Sequence, residues 1–157
     1  MNGGNTKNNT IKNCNIADFD YGIYLYNGTD NNTLKNNVIN NNNYGIVLYE
    51  SSNNILINNT ANSNYGGIYL YSSQNNTLTK NIVNGNNRGI FLNSSSNNNI
   101  TFDSISNNTN DYYLSSAGTT NNFTSTNFTG VRKIYFSDAT SWFNYNNRTD
   151  IELWLKT

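Results

Sequence analysis

The side chains in this chain that could carry chemistry are few. Its 157 residues include nine acids, nine bases, one cysteine, one methionine and no histidine. Cys14 stands alone, which excludes an intramolecular disulfide and leaves the redox compartment open. With Met1 as the single thioether, the chain has no soft-ligand cluster for copper, so neither a metal site nor any other cofactor is expected. Asp18, Asp20 and Asp30 could offer oxygen ligands to calcium, but three acids spread over a turn read more simply as solvated turn formers. Zero net charge with scattered bases gives no electrostatic case for nucleic acid or an anionic membrane. No long apolar run or lipidation motif argues for direct membrane insertion. There is no signal peptide in the stretch, so an exported parent would carry its targeting segment elsewhere.

What recurs is aromatic. Tyr26, Tyr49 and Tyr71 follow one another at intervals of 23 and 22 residues; Tyr69, Phe91 and Tyr113 follow at 22, with Tyr24 two intervals ahead of Tyr69. A tyrosine offers a flat apolar face and a hydroxyl, which suits stacking on a sugar ring while bonding its hydroxyls. An extended apolar strip also commonly marks a protein contact. The plainest reading is that neighbouring rings stabilise their own sheet, each pair by about 0.2–1 kcal/mol. A polysaccharide hydrolase would need two carboxylates about 5–10 Å apart on one face. The outward positions, Tyr24/Tyr26, Val47/Tyr49, Tyr69/Tyr71, Phe91/Asn93 and Tyr113/Ser115, supply none, and Glu50 and Arg88 lie in different columns. No catalytic residue is assigned, and the chain is not expected to be an enzyme.

These residues are positioned by a repeat. Residues 31–96 read as one 22-residue sentence written three times, NNTLKNNVINNNNYGIVLYESS, NNILINNTANSNYGGIYLYSSQ and NNTLTKNIVNGNNRGIFLNSSS. Such a period, with two short apolar runs set among Asn, Ser and Gly, is the mark of a solenoid. Ile11, Leu34, Leu56, Leu78, Ile100 and Phe123 form one aliphatic and aromatic column at spacings of 22 or 23. Ile16, Ile39, Ala61, Val83, Ile105 and Phe128 form a second, and the pairs Ile23/Leu25, Ile46/Leu48, Ile68/Leu70, Ile90/Leu92 and Tyr112/Leu114 two more. Apolar residues alternate within runs such as GIYLY, which is strand spacing. Strands that point the same way one repeat apart must pair in parallel. About six coils and a length near 30 Å follow at about 4.8 Å per coil.

Only 35% of residues are hydrophobic and about a quarter are asparagine, a bias that would suggest a low-complexity segment were the apolar residues not on a fixed schedule. The two Asn columns before each first apolar residue, including Asn9, Asn32, Asn54, Asn76, Asn98 and Asn121, are expected to stack as amide ladders. A third polar column, Cys14, Asn37, Asn59, Asn81, Asp103 and Thr126, is expected partly inside. Gly22, Gly45, Gly67 and Gly89, with Asp111 in the fifth coil, mark a corner needing a positive φ or a close backbone approach. Eleven Asn-x-Ser/Thr sequons, at Asn8, Asn27, Asn31, Asn58, Asn75, Asn93, Asn99, Asn107, Asn122, Asn127 and Asn147, would allow dense N-glycosylation of an exported chain. An Asn-rich sequence also produces sequons by chance, and some are expected in ladders where no glycan fits. After Gly130 the schedule breaks, so the chain divides into β-helix repeats over 1–130 and a cap, or the start of a following domain, over 131–157. The polar segment 1–7 is too thin to cap the other end.

At GIYLYNGTDNNTLKNNVI and its later copies the sequence resembles the NosD-like right-handed β-helix repeats, also described as the carbohydrate-binding and sugar-hydrolase (CASH) repeat family. The resemblance covers about residues 8–130, and the Asn-rich, nearly charge-free dialect is similar to that of archaeal surface proteins. It implies an all-β, right-handed, single-stranded parallel β-helix, the hand that parallel crossovers adopt in general. It further implies an extracellular or cell-surface location and an origin in a larger protein. The expected role is that of a structural or adhesive module whose face of Tyr24, Tyr26, Tyr49, Tyr69, Tyr71, Phe91 and Tyr113 contacts a polysaccharide, another protein or a second copy of itself. The alternative is a carbohydrate-active module, lyase, hydrolase or epimerase, with catalytic residues outside this stretch.

Overall fold

In a computed structural model of the chain, which describes residues 6–117, 120–125, 127–129, 132–138 and 151–155, all regular structure is β. Each coil contributes two three-residue strands and one longer strand, and like strands from successive coils stack into three parallel sheets. The first sheet stacks Thr10–Lys12, Thr33–Lys35, Ile55–Ile57, Thr77–Thr79, Asn99–Thr101 and Asn122–Thr124. The second runs from Asn15–Ala17 to Asn127–Thr129. The third holds the long strands, Tyr21–Tyr26, Tyr44–Tyr49, Gly66–Tyr71, Arg88–Asn93 and Asn110–Ser115. Arg132–Phe136 and Ile151–Leu155 continue it as a sixth and a seventh rung. The parallel β-helix of about six coils is therefore present, and its long-strand sheet runs past the expected boundary at 130. The rest of the expected cap, residues 131, 139–150, 156 and 157, lies outside the described residues.

Register follows the apolar columns. Ile11 pairs with Leu34, then Leu56, Leu78, Ile100 and Phe123, and Ile23 and Leu25 head files that run through Tyr112 and Leu114 to Ile134 and Phe136. From the second coil onward these side chains are buried, whereas Ile11 and Ile16 of the first coil are only half-covered. A one-residue slip would turn every column outward, so burial fixes the winding.

The corners are built on a rule of two residues. In the second to fourth coils a left-handed residue ends each short strand, and the next side chain turns inward and bonds to its equivalent one coil on. At successive corners of the second coil, Asn31 (φ 58°), Asn36 (φ 55°) and Asn41 (φ 57°) precede the buried Asn32, Asn37 and Asn42. Asparagine tolerates this φ because its short side chain is easily accommodated there. Of the two Asn columns expected to stack, only the second does; Asn31, Asn53, Asn75 and Asn97 of the first are exposed left-handed residues. The column of Asn37, Asn59, Asn81 and Asp103 is fully rather than partly inside. Thr126, its last member, lies outside the described residues. Two further files were not anticipated: an amide ladder of Asn42, Asn64, Asn86 and Asn108, and a hydroxyl file of Ser51, Ser73 and Ser95.

The glycine column does not use a positive φ. It is a close approach: a Cβ on Gly45, Gly67 or Gly89 would lie 2.5–2.7 Å from the carbonyl oxygen of the equivalent residue in the next coil. Gly67→Ala would set that methyl 2.7 Å from the Gly89 oxygen, 2.6 Å from Val83 Cγ1 and 2.9 Å from Asn86 Nδ2, so backbone must give way. Overpacking of this kind costs about 1–3 kcal/mol, and the urea midpoint should fall accordingly. Gly66→Ala meets only the movable Tyr44 ring and should cost less; equal losses would show that the inter-coil contact is not what requires glycine.

Candidate functional site

The outer side of the long-strand sheet carries the aromatic residues singled out above. Strand alternation sends Ile and Leu inward and sets Tyr24/Tyr26, Val47/Tyr49, Tyr69/Tyr71 and Phe91/Asn93 in cross-coil register on the opposite face. The rings do not form two plain columns. Val47 breaks the first, so Tyr24 stacks instead on Tyr21 at 4.8 Å and leans on Tyr26 at 5.6 Å. The second column is continuous, with Tyr26 to Tyr49 at 5.4 Å and Tyr49 to Tyr71 at 4.5 Å. Below the break, Tyr69 and Phe91 stack at 4.3 Å and 3°, and Phe91 meets Tyr113 edge-on at 4.7 Å. Tyr113 in turn stacks on Tyr135 of the sixth coil at 4.5 Å.

A third outward column was missed. The chain bends at the glycine corner, so counting alternation back from Ile46 puts Tyr44 on the wrong side. Tyr44 lies outside, over Gly66, where it stacks on Tyr69 at 5.8 Å and bridges back to Tyr21 at 5.8 Å. It thereby spans the gap left by Val47. Gly66 is what makes room, since any larger residue would collide with the Tyr44 ring.

Arg88 stands next in this column. Its guanidinium carbon lies 4.1 Å from the Tyr113 centroid, 4.9 Å from that of Phe91 and 5.5 Å from that of Tyr65. A planar cation over ring faces is attracted by their quadrupoles, here by about 0.5–2 kcal/mol for each well-placed ring. The sequence placed Arg88 apart from the aromatic face; the structure lays it on that face.

Near-parallel rings at 4.3–4.8 Å cover one another's faces. What the strip presents outward is largely ring edge and hydroxyl, which differs from the expected row of open faces for sugars to stack on. Burial raises the phenols of Tyr24, Tyr44, Tyr69 and Tyr113 above the ordinary tyrosine value, with Arg88 pulling back on Tyr44, Tyr69 and Tyr113. The hydroxyls are thus protonated near neutral pH and can both donate and accept. Asn93, itself on this face, donates to the Tyr69 hydroxyl at 3.5 Å.

Two solved structures share the architecture. The periplasmic alginate epimerase AlgG superposes with a TM-score of 0.58 at 20% identity, over 97% of this chain and 44% of that one. A double mutant of the same epimerase superposes with a TM-score of 0.55 at 22% identity, over 96% and 37%. The chain therefore spans less than half the length of these structures, and at such identity the likeness concerns the fold. No curated protein matches it in sequence. The family described as periplasmic copper-binding protein (NosD) matches residues 2–153. That description places the chain among proteins that work outside the cytoplasm. The donor set does not fit copper: with no histidine, one methionine and the single half-buried Cys14, there is no group of soft ligands to converge on an ion. A match over nearly the whole chain, together with the three stacked sheets of the β-helix, makes this protein a member of the NosD family.

Proposed function

We propose that the chain is a non-enzymatic structural and adhesive module of the cell envelope or surface. In this reading the tyrosine strip contacts a glycan or another protein, a second copy included. The observation that carries it is the strip itself, continuous from Tyr21 to Tyr135 through Tyr44 and Tyr69. Its hydroxyl-lined edge suits hydrogen bonding to sugar hydroxyls or to a partner's backbone, with the apolar ring bodies excluding water beneath. Tyr69→Ala/Tyr71→Ala opens the middle of the strip without touching the core. On a glycan array and in light scattering across a concentration series, the parent should bind or associate and the double variant should lose at least tenfold in that signal. An unchanged profile in both measurements would remove the face from the contact.

A second reading is a carbohydrate-active module whose catalytic residues lie outside this stretch. It is favoured by the likeness to an epimerase of which this chain covers 44%. New reducing ends or unsaturated products on incubation with pectins and alginates would support it.

A further inference from the structure

We propose that Asn8, Asn31, Asn58 and Asn75 are attachment sites for N-linked glycans, carried on the corners of the coil. Sequons were expected to fall in part on the buried ladders. None does: the nine sequon asparagines from Asn8 to Asn122 all lie outside them. The reason is the fold's own period. In the first two ladders the residue two places after each buried asparagine is a core residue, as Leu34 follows Asn32 and Ala61 follows Asn59. A hydroxyl at that place would be buried in the apolar core. The left-handed asparagine one step earlier has the outward first residue of a strand two places on, which is free to be threonine. Asn8, Asn31, Asn58 and Asn75 all occupy that left-handed position, with Thr10, Thr33, Thr60 and Thr77 opening the next strand.

Four of the remaining sequons are less available. Asn107 and Asn122 have their amide nitrogens committed to Asn84 and Asn99, each at 2.9 Å. Asn93 donates to Tyr69 on the aromatic face. At Asn27 the sequon threonine, Thr29, is buried with its hydroxyl donating to the Tyr26 carbonyl at 2.6 Å. By contrast, the side chains of Asn8, Asn31, Asn58 and Asn75 are exposed and make no hydrogen bond to any described residue. Asn58 sits between the first and second sheets, on the corner opposite the long strands, so a glycan there leaves the tyrosine strip uncovered.

The step is a glycosyl transfer from a lipid-linked oligosaccharide. The bond from sugar C1 to the donor's phosphate oxygen breaks, C1 joins Nδ2, the amide gives up one proton, and the lipid phosphate leaves. The test is intact mass and glycopeptide mapping of the chain secreted by a cell whose export pathway carries an N-oligosaccharyltransferase. Occupancy is expected at the four corner sites. Thr33→Ala and Thr77→Ala should each remove one glycan mass, while Thr33→Ser and Thr77→Ser should retain it, which separates loss of the sequon from misfolding. A secreted, folded chain bare at all four sites overturns the proposal, as does occupancy concentrated at Asn27, Asn93 or Asn107.

Discussion

Asp103→Asn should stabilise the protein at pH 7 by about 2–4 kcal/mol and change it little at pH 4. Asp103 holds the fifth place in a buried ladder whose other described members from the second coil on are asparagines. In that ladder each Oδ1 accepts from the preceding residue's backbone and side chain, and Asp103 does the same, taking Asn81 N and Nδ2, the latter at 2.9 Å. Each asparagine also donates to a core carbonyl one coil back: Asn59 to Leu34 at 2.9 Å and Asn81 to Leu56 at 3.0 Å. The register sets Asp103 Oδ2 opposite the Leu78 carbonyl, where an ionised carboxylate has nothing to donate. That oxygen is buried and has no hydrogen-bond partner among the described residues. A proton on it would restore the missing bond.

The direction of the pH effect follows. Burial raises the Asp103 carboxyl from 3.8 to about 7, against the lowering effect of its bonds to Asn81. No charged neighbour contributes to the shift; Lys80, beside Asn81, is exposed on its corner, Phe102 and Ser104 flank the site without charge, and position 126 is a threonine outside the described residues. Below pH 3.8 both folded and unfolded chains hold the proton. Between 3.8 and about 7 the unfolded chain releases it and the folded chain does not, so stability falls as pH rises. The fall is about 1.4 kcal/mol per pH unit and levels off above 7, for a total on the order of 4 kcal/mol. Urea midpoints measured from pH 3.5 to 8 should decline for the parent and stay nearly flat for Asp103→Asn. Parallel profiles would show that Asp103 is ionised in place and tolerated.

Much of this architecture could be read before any coordinates. Strand alternation and a 22-residue period sufficed to name every inward aliphatic column, because burial admits no other register. The ladders were half-legible. Runs such as NNNN and NSN do not say which amide turns inward. A signal was nevertheless present: Asn32, Asn37 and Asn42 lie five apart, as do Asn54, Asn59 and Asn64, one for each three-residue strand plus its left-handed residue. The aromatic face was legible where alternation holds and lost where the glycine corner bends the chain, which hid Tyr44. Arg88 is harder still, since lying across Tyr113 and Phe91 is a choice of rotamer that spacing does not encode.

Asn59→Ala tests whether amide ladders, rather than asparagine content as such, hold the coils together. Asn59 is fully buried, and its Oδ1 accepts from Asn37 N at 3.1 Å and Asn37 Nδ2 at 2.9 Å. Its Nδ2 donates to Leu34 O at 2.9 Å and Asn81 Oδ1 at 3.1 Å. Alanine removes all four bonds and strands Asn37 N in a corner that water does not reach. At about 1–3 kcal/mol for each buried group left unpaired, the loss should reach about 3–6 kcal/mol, a large share of the roughly 5–15 kcal/mol that holds a domain folded. The neighbouring Asn58 has the same side chain but is exposed at φ 54°, and Asn58→Gly should be nearly neutral because glycine adopts that φ without cost. In a solenoid each coil leans on its neighbours, so hydrogen exchange should quicken first in residues 34–39 and 56–61, where the broken rungs sit. Equal urea midpoints for the two variants would mean that the corners are held by backbone pairing alone.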